Sequence, residues 1–483
     1  MQLEKQLNNK NHGYIGEKGI GFKAVFRVTS SPYILSNDYS FSLPEYDPKT
    51  GLGYIVPQWV SLSKNIFAIN NTNIILPLDK YEYNFDKIEK MFYDIEPETI
   101  LFLNKLREIH IETDSGDFLS ILKDNSKYPY VHIYTEGKKN NKSFEITKEF
   151  LLSSRSFKKP DDIEQEKRED IYEREVTVAF PLNDDEEGRS KIYAYLPVRT
   201  DTRLPFIINA DFILTCSREE IQDVPWNRWL MECVAEVVAD GLILLKNNQS
   251  LTLNFLNTLT NRLNEIAKNN DDFYYPIFSK IRNTLNTEEV LPDNEGTFVK
   301  GQNAKLARGS ELRNLISNDH LKCLFKSNTN IKWLSKDITE DLNRSLRSFL
   351  INQLNIDELR PDKFIEILSN SFLLNQSDNW LISFYSFLLK TRTDRSKKSK
   401  ESLQNLKCIR LENNDHVTPF NKDGNPNAYL PNAKTNLPTV KKNIFNNEEA
   451  AEFLKKFGLL EPDQFADLIE FVLPKYDDHT KTY

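Results

Sequence analysis

The residues of this chain best suited to chemistry form one string: Gly13-Tyr14-Ile15-Gly16-Glu17-Lys18-Gly19-Ile20-Gly21-Phe22-Lys23-Ala24-Val25-Phe26. Of the 15 glycines in 483 residues, those at 13, 16, 19 and 21 crowd into this string. Glycine has no Cβ, so its backbone takes φ > 0 freely and approaches a ligand closely. Successive N–H groups in such a bend make a concavity for anions. Residues 22–28 can start a helix whose N-terminus faces the same anion, and Lys18 and Lys23 add positive charge. The pattern predicts a phosphate-binding loop; the plain alternative is a flexible turn.

Three phosphate loops share some of these letters. A Walker A loop requires G-x-x-x-x-G-K-[ST]. Gly16 and Gly21 have that spacing, but Phe22 follows and no Ser or Thr stands at the metal position. A dinucleotide loop requires G-x-G-x-x-G/A directly after a buried strand. Gly19-Ile20-Gly21-Phe22-Lys23-Ala24 fits the letters, yet residues 2–12 are almost without apolar side chains. A G-x-x-G-x-G loop, followed by an aromatic residue and a short helix, fits best.

The string from Gly16 to Phe26 resembles the second glycine box of the gyrase, heat-shock chaperone, histidine kinase and MutL (GHKL) ATPase superfamily, most closely its sacsin-like and NO VEIN-like branch. Gly53-Tyr54-Ile55-Val56-Pro57-Gln58-Trp59-Val60 resembles the segment after the lid. Thr72-Asn73-Ile74-Ile75-Leu76-Pro77-Leu78 is similar to the strand whose Thr touches bound nucleotide. Leu204-Pro205-Phe206, Ala210-Asp211-Phe212-Ile213-Leu214 and Ser217-Arg218-Glu219 resemble the second domain. Leu460-Glu461-Pro462-Asp463 and Leu473-Pro474-Lys475-Tyr476 are similar to further strings of these proteins. The resemblance covers the first half of the chain well and the rest thinly.

It implies ATP held by a glycine box under a mobile lid. Gly16, Gly19 and Gly21 would supply backbone N–H groups to the phosphates, and Lys18 would meet the terminal phosphate with Lys23 close by. Phe22 would pack the loop against the sheet, and Thr72 would lie near the adenine end. Chaperone-type ATPases use a second-domain Arg at the terminal phosphate; for Arg199 and Arg203 a surface position is the plainer expectation, and for Arg218 an ion pair with Glu219, Glu220 or Asp223. Ala24 stands where this branch has Ser. The superfamily also carries, upstream of the box, an acidic residue and an Asn for base and magnesium, and an Asp-x-Gly that reads adenine. Fifteen residues precede Gly16 and none is Asp. The chain is therefore expected to be the downstream part of such a protein, deficient in hydrolysis as it stands. Magnesium is expected only if the missing N-terminal part is supplied.

These residues need elements to hold them. Tyr33–Ser36 and residues 39–43 read as strands around the turn Asn37-Asp38, and residues 73–78 as a strand closed by Pro77. Residues 85–106 read as helix interrupted near Pro97. Over 107–113, Glu108, His110 and Glu112 oppose Ile109 and Ile111, the alternation of a strand. Residues 130–135 and 175–181 alternate likewise. Asn183-Asp184-Asp185-Glu186-Glu187-Gly188 predicts a turn joining 176–180 to 192–196 in a hairpin, and 206–214 is the next strand. Residues 158–174 read as a solvated, charged helix or loop. Asp223-Val224-Pro225-Trp226 starts a helix with Trp226, Trp229, Leu230, Cys233, Val234, Val237 and Val238 on its apolar face. Helical spacing recurs over 251–267, 338–354, 361–374, 380–389, 448–457 and 462–472, with a loop over 413–437. The expected fold is α+β: an incomplete GHKL-type (Bergerat) ATPase lobe over 1–115, a smaller α/β second domain over 116–245, and a mainly helical region over 246–483.

Composition sets the outer limits. With 63 basic and 71 acidic residues the net charge is −8, which excludes a globally basic nucleic-acid binder. Arg392, Arg395, Lys397, Lys398 and Lys400 form a basic run without interleaved aromatic residues, read as a solvated linker. Cys216, Cys233, Cys323 and Cys408 make no C-x-x-C pair, and the six histidines have no metal-ligand spacing. No apolar run approaches the ~18 residues of a membrane helix, and residues 1–12 have no signal-peptide core, so a cytoplasmic protein is expected. The leading function is an ATP-binding conformational switch: lid closure would dock the second domain and change which protein partner or client the helical region binds. The alternatives are a non-enzymatic interaction scaffold with a degenerate nucleotide site, and an ATPase-like subunit of a bacterial defence or nucleic-acid-processing system.

Overall fold

The computed structural model describes residues 22–54, 56–61, 71–165, 168, 171–182, 191–215, 219–326, 330–392, 396–431, 435 and 437–462. The chain is mixed α+β and divides into two compact units, Met1–Ser250 and Leu251–Tyr483.

The first unit starts, among the described residues, with a 3-10 helix, Phe22–Arg27. Backbone bonds from Val28 and Thr29 to the Val25 carbonyl close it. β1 (Tyr33–Ser36) and β2 (Tyr39–Ser42) then form a two-residue hairpin. Asn37 takes φ 53° there, a left-handed conformation that Asn tolerates and tight hairpins require. β3 (Gln58–Trp59) and β4 (Thr72–Ile75) complete an antiparallel sheet of order β3-β2-β1-β4. α1 (Phe85–Tyr93) follows, its first turn capped by the Asn84 carboxamide oxygen, which accepts from Lys87 N at 3.0 Å. The interruption expected near Pro97 is a 3-10 turn, Pro97–Ile100.

A second, eight-stranded sheet holds β5 (Glu108–Glu112), β6 (Phe118–Asp124), β7 (Tyr130–Lys139), β8 (Lys142–Lys158), β9 (Glu173–Pro181), β10 (Lys191–Ala194), β11 (Leu196–Asp201) and β12 (Ile207–Asn209). Its order is β11-β10-β12-β9-β8-β7-β6-β5. β5 to β9 form an antiparallel meander. The hairpin expected between β9 and β10 does not form: β12 lies between them, antiparallel to β9 and parallel to β10. All three β12 residues are buried, and a strand buried on both faces belongs inside a sheet rather than at its edge. Ile100, Leu101 and Phe102 join Ile121, Ile133, Phe150 and Tyr193 in one apolar cluster.

The helix predicted from Pro225 is α2 (Pro225–Asn247), with Pro225 in its first turn and fourteen buried residues. It packs on β8 and β9: Ser153 Oγ donates to the Val237 carbonyl at 3.2 Å, and Gly241 meets the Phe180 ring. Each fully buried Val, Leu or Met of such a face contributes about 1.5–3 kcal/mol.

In the second unit α3 (Leu253–Ile266), α4 (Tyr275–Thr287), α5 (Arg344–Asn352), α6 (Asp378–Thr391), α7 (Lys397–Asn405) and α8 (Glu448–Phe457) are the longer helices, among shorter ones and two- and three-stranded ladders. α6 is central to its core. Trp380 stacks on Phe384 at 5.2 Å between ring centres, and Tyr385 on Phe453 at 5.5 Å. The Tyr385 hydroxyl donates to the Cys408 carbonyl at 2.5 Å. Two sequence expectations change here. The basic run read as a linker forms α7 from Lys397 onward. The loop expected over 413–437 contains the strand His416–Val417, paired with Ile409–Arg410.

Candidate functional site

Gly16, Lys18, Gly19 and Gly21 lie outside the described residues. What is described is the frame that follows them. Phe22 and Lys23 open the 3-10 helix, and both are exposed. Phe22 meets Phe26 edge-on at 6.5 Å, and Phe26 meets Tyr54 at 4.5 Å. The helix thus packs, ring on ring, against the segment that resembles the one after the lid.

Three polar joints fix this segment and the helix exit. Ser30 N donates to Asp79 Oδ1 at 2.8 Å and its hydroxyl to Asp79 Oδ2. That joins the helix exit to the chain just past β4. Lys80 Nζ pairs with Glu45 Oε2 at 2.5 Å, and Tyr54 Oη donates to Glu45 Oε1 at 3.0 Å. Asp47 accepts from Thr50 Oγ1 at 2.7 Å, Lys49 N at 3.1 Å and Gln58 Nε2 at 3.2 Å. Those bonds hold the carboxyls of Glu45, Asp79 and Asp47 below their ordinary range. The causes are foremost Lys80 for Glu45, Ser30 for Asp79 and Thr50 for Asp47. At Gly53 an added Cβ would lie 1.8 Å from the Glu45 carbonyl oxygen. The close pass of the two backbone segments therefore admits no side chain at this position.

Thr72 is the first residue of β4, exposed, with its Oγ1 2.8 Å from Ser36 Oγ. In the antiparallel register Ser36 pairs with Thr72 and Tyr33 with Ile75. The 3-10 helix enters β1 at its Tyr33 end, so Thr72 lies at the far end of the strand pair, about 10 Å away at the ~3.3 Å rise per strand residue. No hydrogen bond or ion pair among the described residues joins Phe22 or Lys23 to Thr72. Thr72 belongs to the four-stranded sheet, whereas Phe22 and Lys23 belong to the 3-10 helix that precedes it in the chain.

The second-domain candidates behave differently. Arg199 pairs with Glu219 at 2.6 Å and is 80% exposed. Arg203 takes φ 58° and its N donates to Asp201 Oδ1. Arg218 lies outside the described residues. A buried cation lies instead in a stretch that sequence reasoning read as solvated: Arg168, with a side chain 6% exposed, bound to Asp211. Arg174 binds the same carboxylate. Burial, with Asp211 close by, pushes the Tyr195 hydroxyl up to about 12. Among the described residues no group of three or more His, Cys, Asp or Glu side chains gathers as a metal site, and no helix is long and apolar enough to cross a membrane.

No family model matches the chain. The chain is similar to Protein NO VEIN of Arabidopsis thaliana, with 29% identity over 415 residues. That match takes in 78% of this chain and 14% of the plant protein, so the chain spans a small part of its relative's length.

Proposed function

We propose that the first unit is an ATP-binding conformational switch. The observation that carries it is the continuity of its parts. The glycine string runs into the 3-10 helix Phe22–Arg27, Ser30 and Asp79 lock the exit of that helix to the chain just past β4, and β4 begins with Thr72. The similarity to NO VEIN, and the resemblance of the string to a GHKL glycine box, support the same reading. In it, Gly16, Gly19 and Gly21 give N–H groups to the phosphates, with Lys18 and Lys23 as counter-charges. Phe22 seats the loop on Phe26 and Tyr54, and the Thr72 hydroxyl faces the base end. Bound nucleotide biases the position of the loop and of the segment packed on Tyr54. The partner that responds is a protein, met through the helical unit.

The reading carries binding and not turnover. Glu45, Asp47 and Asp79 are each engaged by donors of the lobe itself, which leaves them poor bases for water. Thermal melts of this chain with ATP, with ATP and magnesium, and with adenosine test it. ATP raises the midpoint, adenosine does not, and magnesium adds little. Equal midpoints in all conditions reject it.

A second reading, a non-enzymatic interaction scaffold, is favoured by one face of the four-stranded sheet. The register lines Trp59, Phe41, Ile34 and Ile74 across it, with Trp59 68% and Ile74 50% exposed. Partner binding that ignores ATP would select this reading.

A further inference from the structure

The second unit has its own concave site, independent of the glycine string. A cavity of about 750 Å³ lies between α7, the 418–424 loop and the end of α8. Its walls include Lys400 and Gln404 of α7, Lys422 at the loop tip, and the rings of Phe420 and Phe457. That volume is in the range of small-molecule pockets, roughly 300–1,000 Å³.

The walls are built, not incidental. Asn421 Oδ1 accepts from the backbone N–H groups of Asp423 and Asn425, both at 2.9 Å, and Asn421 N donates to the Asn425 carbonyl at 2.8 Å. Gly424 takes φ 85° to close that turn. Lys422 is therefore presented from a fixed tip. Phe420 lies 6.3 Å from Phe457, which stacks on Phe453 at 5.3 Å, so the apolar wall is anchored in the core.

Charge points the same way. Residues 390–410 contain eight Lys or Arg against two Asp or Glu, in a chain whose net charge is −8. Three cations of this stretch are already neutralised: Lys390 by Glu449, Lys398 by Glu366, and Arg410 by Asp378. Lys400 and Lys422 have no carboxylate partner among the described residues, and both face the cavity. Two exposed ammonium groups beside an aromatic wall suit an anion with a flat apolar body. Ammonium groups are point charges, which serve phosphate well.

We infer that this cavity binds a small phosphate monoester with an aromatic body, the chemistry of a mononucleotide. Lys400 and Lys422 meet the phosphate, Gln404 meets a polar edge, and Phe420 lines the ring. A volume of about 750 Å³ matches one nucleotide residue.

The test is calorimetric titration of the whole chain with AMP, inorganic phosphate, adenosine and a single-stranded oligonucleotide. AMP should bind at least tenfold more tightly than either phosphate or adenosine. The double variant Lys400→Glu, Lys422→Glu should weaken AMP at least tenfold with an unchanged melting midpoint, and Phe420→Leu should weaken it severalfold. Gly19→Val and Gly21→Val should leave it unaltered, which separates this cavity from the glycine string. AMP affinity indifferent to the lysine double variant, no AMP binding at millimolar concentration, phosphate binding as tight as AMP, or an oligonucleotide binding more tightly than AMP would each overturn the inference.

Discussion

The guanidinium of Arg168 grips both oxygens of the Asp211 carboxylate, Nη2 at 3.0 Å from Oδ1 and Nε at 3.3 Å from Oδ2. Arg174 Nε adds a third contact at 2.8 Å, and the Arg168 guanidinium lies 5.2 Å over the Trp226 ring. The Trp226 indole in turn donates to the Asp211 carbonyl at 2.9 Å. This cluster ties the stretch between β8 and β9 to the start of α2. Removing one partner of a buried pair leaves the other charge uncompensated and costs about 3–5 kcal/mol. Asp211→Asn should therefore lower the urea midpoint of the chain substantially. A change below about 1 kcal/mol would mean that the pair behaves as an exposed one.

Gly241 offers a test of packing. An added Cβ would lie 2.2 Å from Phe180 Cε2 and 2.3 Å from its Cζ. Gly241→Ala should destabilise by about 1–3 kcal/mol despite alanine's better helix propensity. Phe180→Leu in the same chain should recover part of the loss. A double variant no better than the sum of its parts would place the clash elsewhere.

His416 should make the second unit sensitive to mild acid. Its Nε2 accepts from Arg410 Nε at 2.8 Å, and its Nδ1 faces the Lys407 carbonyl at 3.1 Å, so Nδ1 carries the proton. Burial first, and Arg410 with it, lower its pKa; Asp378 and Asp415 pull the other way. Lys441, paired with Asp378, completes the charged surroundings. His320 is likewise lowered by burial. For groups lowered in the folded state, stability is fully present above the unfolded value near 6.5 and is lost as pH falls through the folded value. Melts from pH 7.5 to pH 5 should fall steadily, and His320→Gln with His416→Gln should flatten the slope. An unchanged slope would contradict the assignment.

Lys123 acts with the same sign in an alkaline window. It is buried and donates to the carbonyls of Leu103 at 2.6 Å and Leu101 at 3.5 Å. Burial first, and Arg107 second, bring its ammonium down to about 8. Between pH 8 and the unfolded value near 10.4 the unfolded chain holds the extra proton, so Lys123 adds stability as pH rises across that interval. Lys123→Met should lose that rise when melts at pH 8 and pH 10 are compared. A variant that keeps the rise would show that another group causes it.

Local signals in the sequence foretold local structure. Asn37-Asp38 marked the β1–β2 hairpin, Pro225 opened α2, and the spacing over 448–457 coincides with α8. What sequence missed is carried by contacts between distant residues. The burial of β12 inserts it between β9 and β10, which no turn residue announces. Arg168 lies in a run that reads as solvated, because its partner Asp211 is 43 positions away. The candidate site divides in the same manner. The strand beside Thr72 was legible as residues 73–78 and runs Thr72–Ile75, whereas the Ser30–Asp79 and Glu45–Lys80 joints that fix the lobe span 49 and 35 positions. The glycines themselves lie outside the described residues, so their roles rest on their types and spacing.

The central claim is that main-chain amides of the glycine string hold a nucleotide's phosphates. Equilibrium titration of ATP into the chain, compared with its Gly19→Val and Gly21→Val variants at matched melting midpoints, measures this directly. The account predicts saturable ATP binding that each variant weakens at least tenfold, while Lys400→Glu with Lys422→Glu leaves that site's affinity unchanged. ATP bound equally by the glycine variants, or by none of the chains, would contradict it.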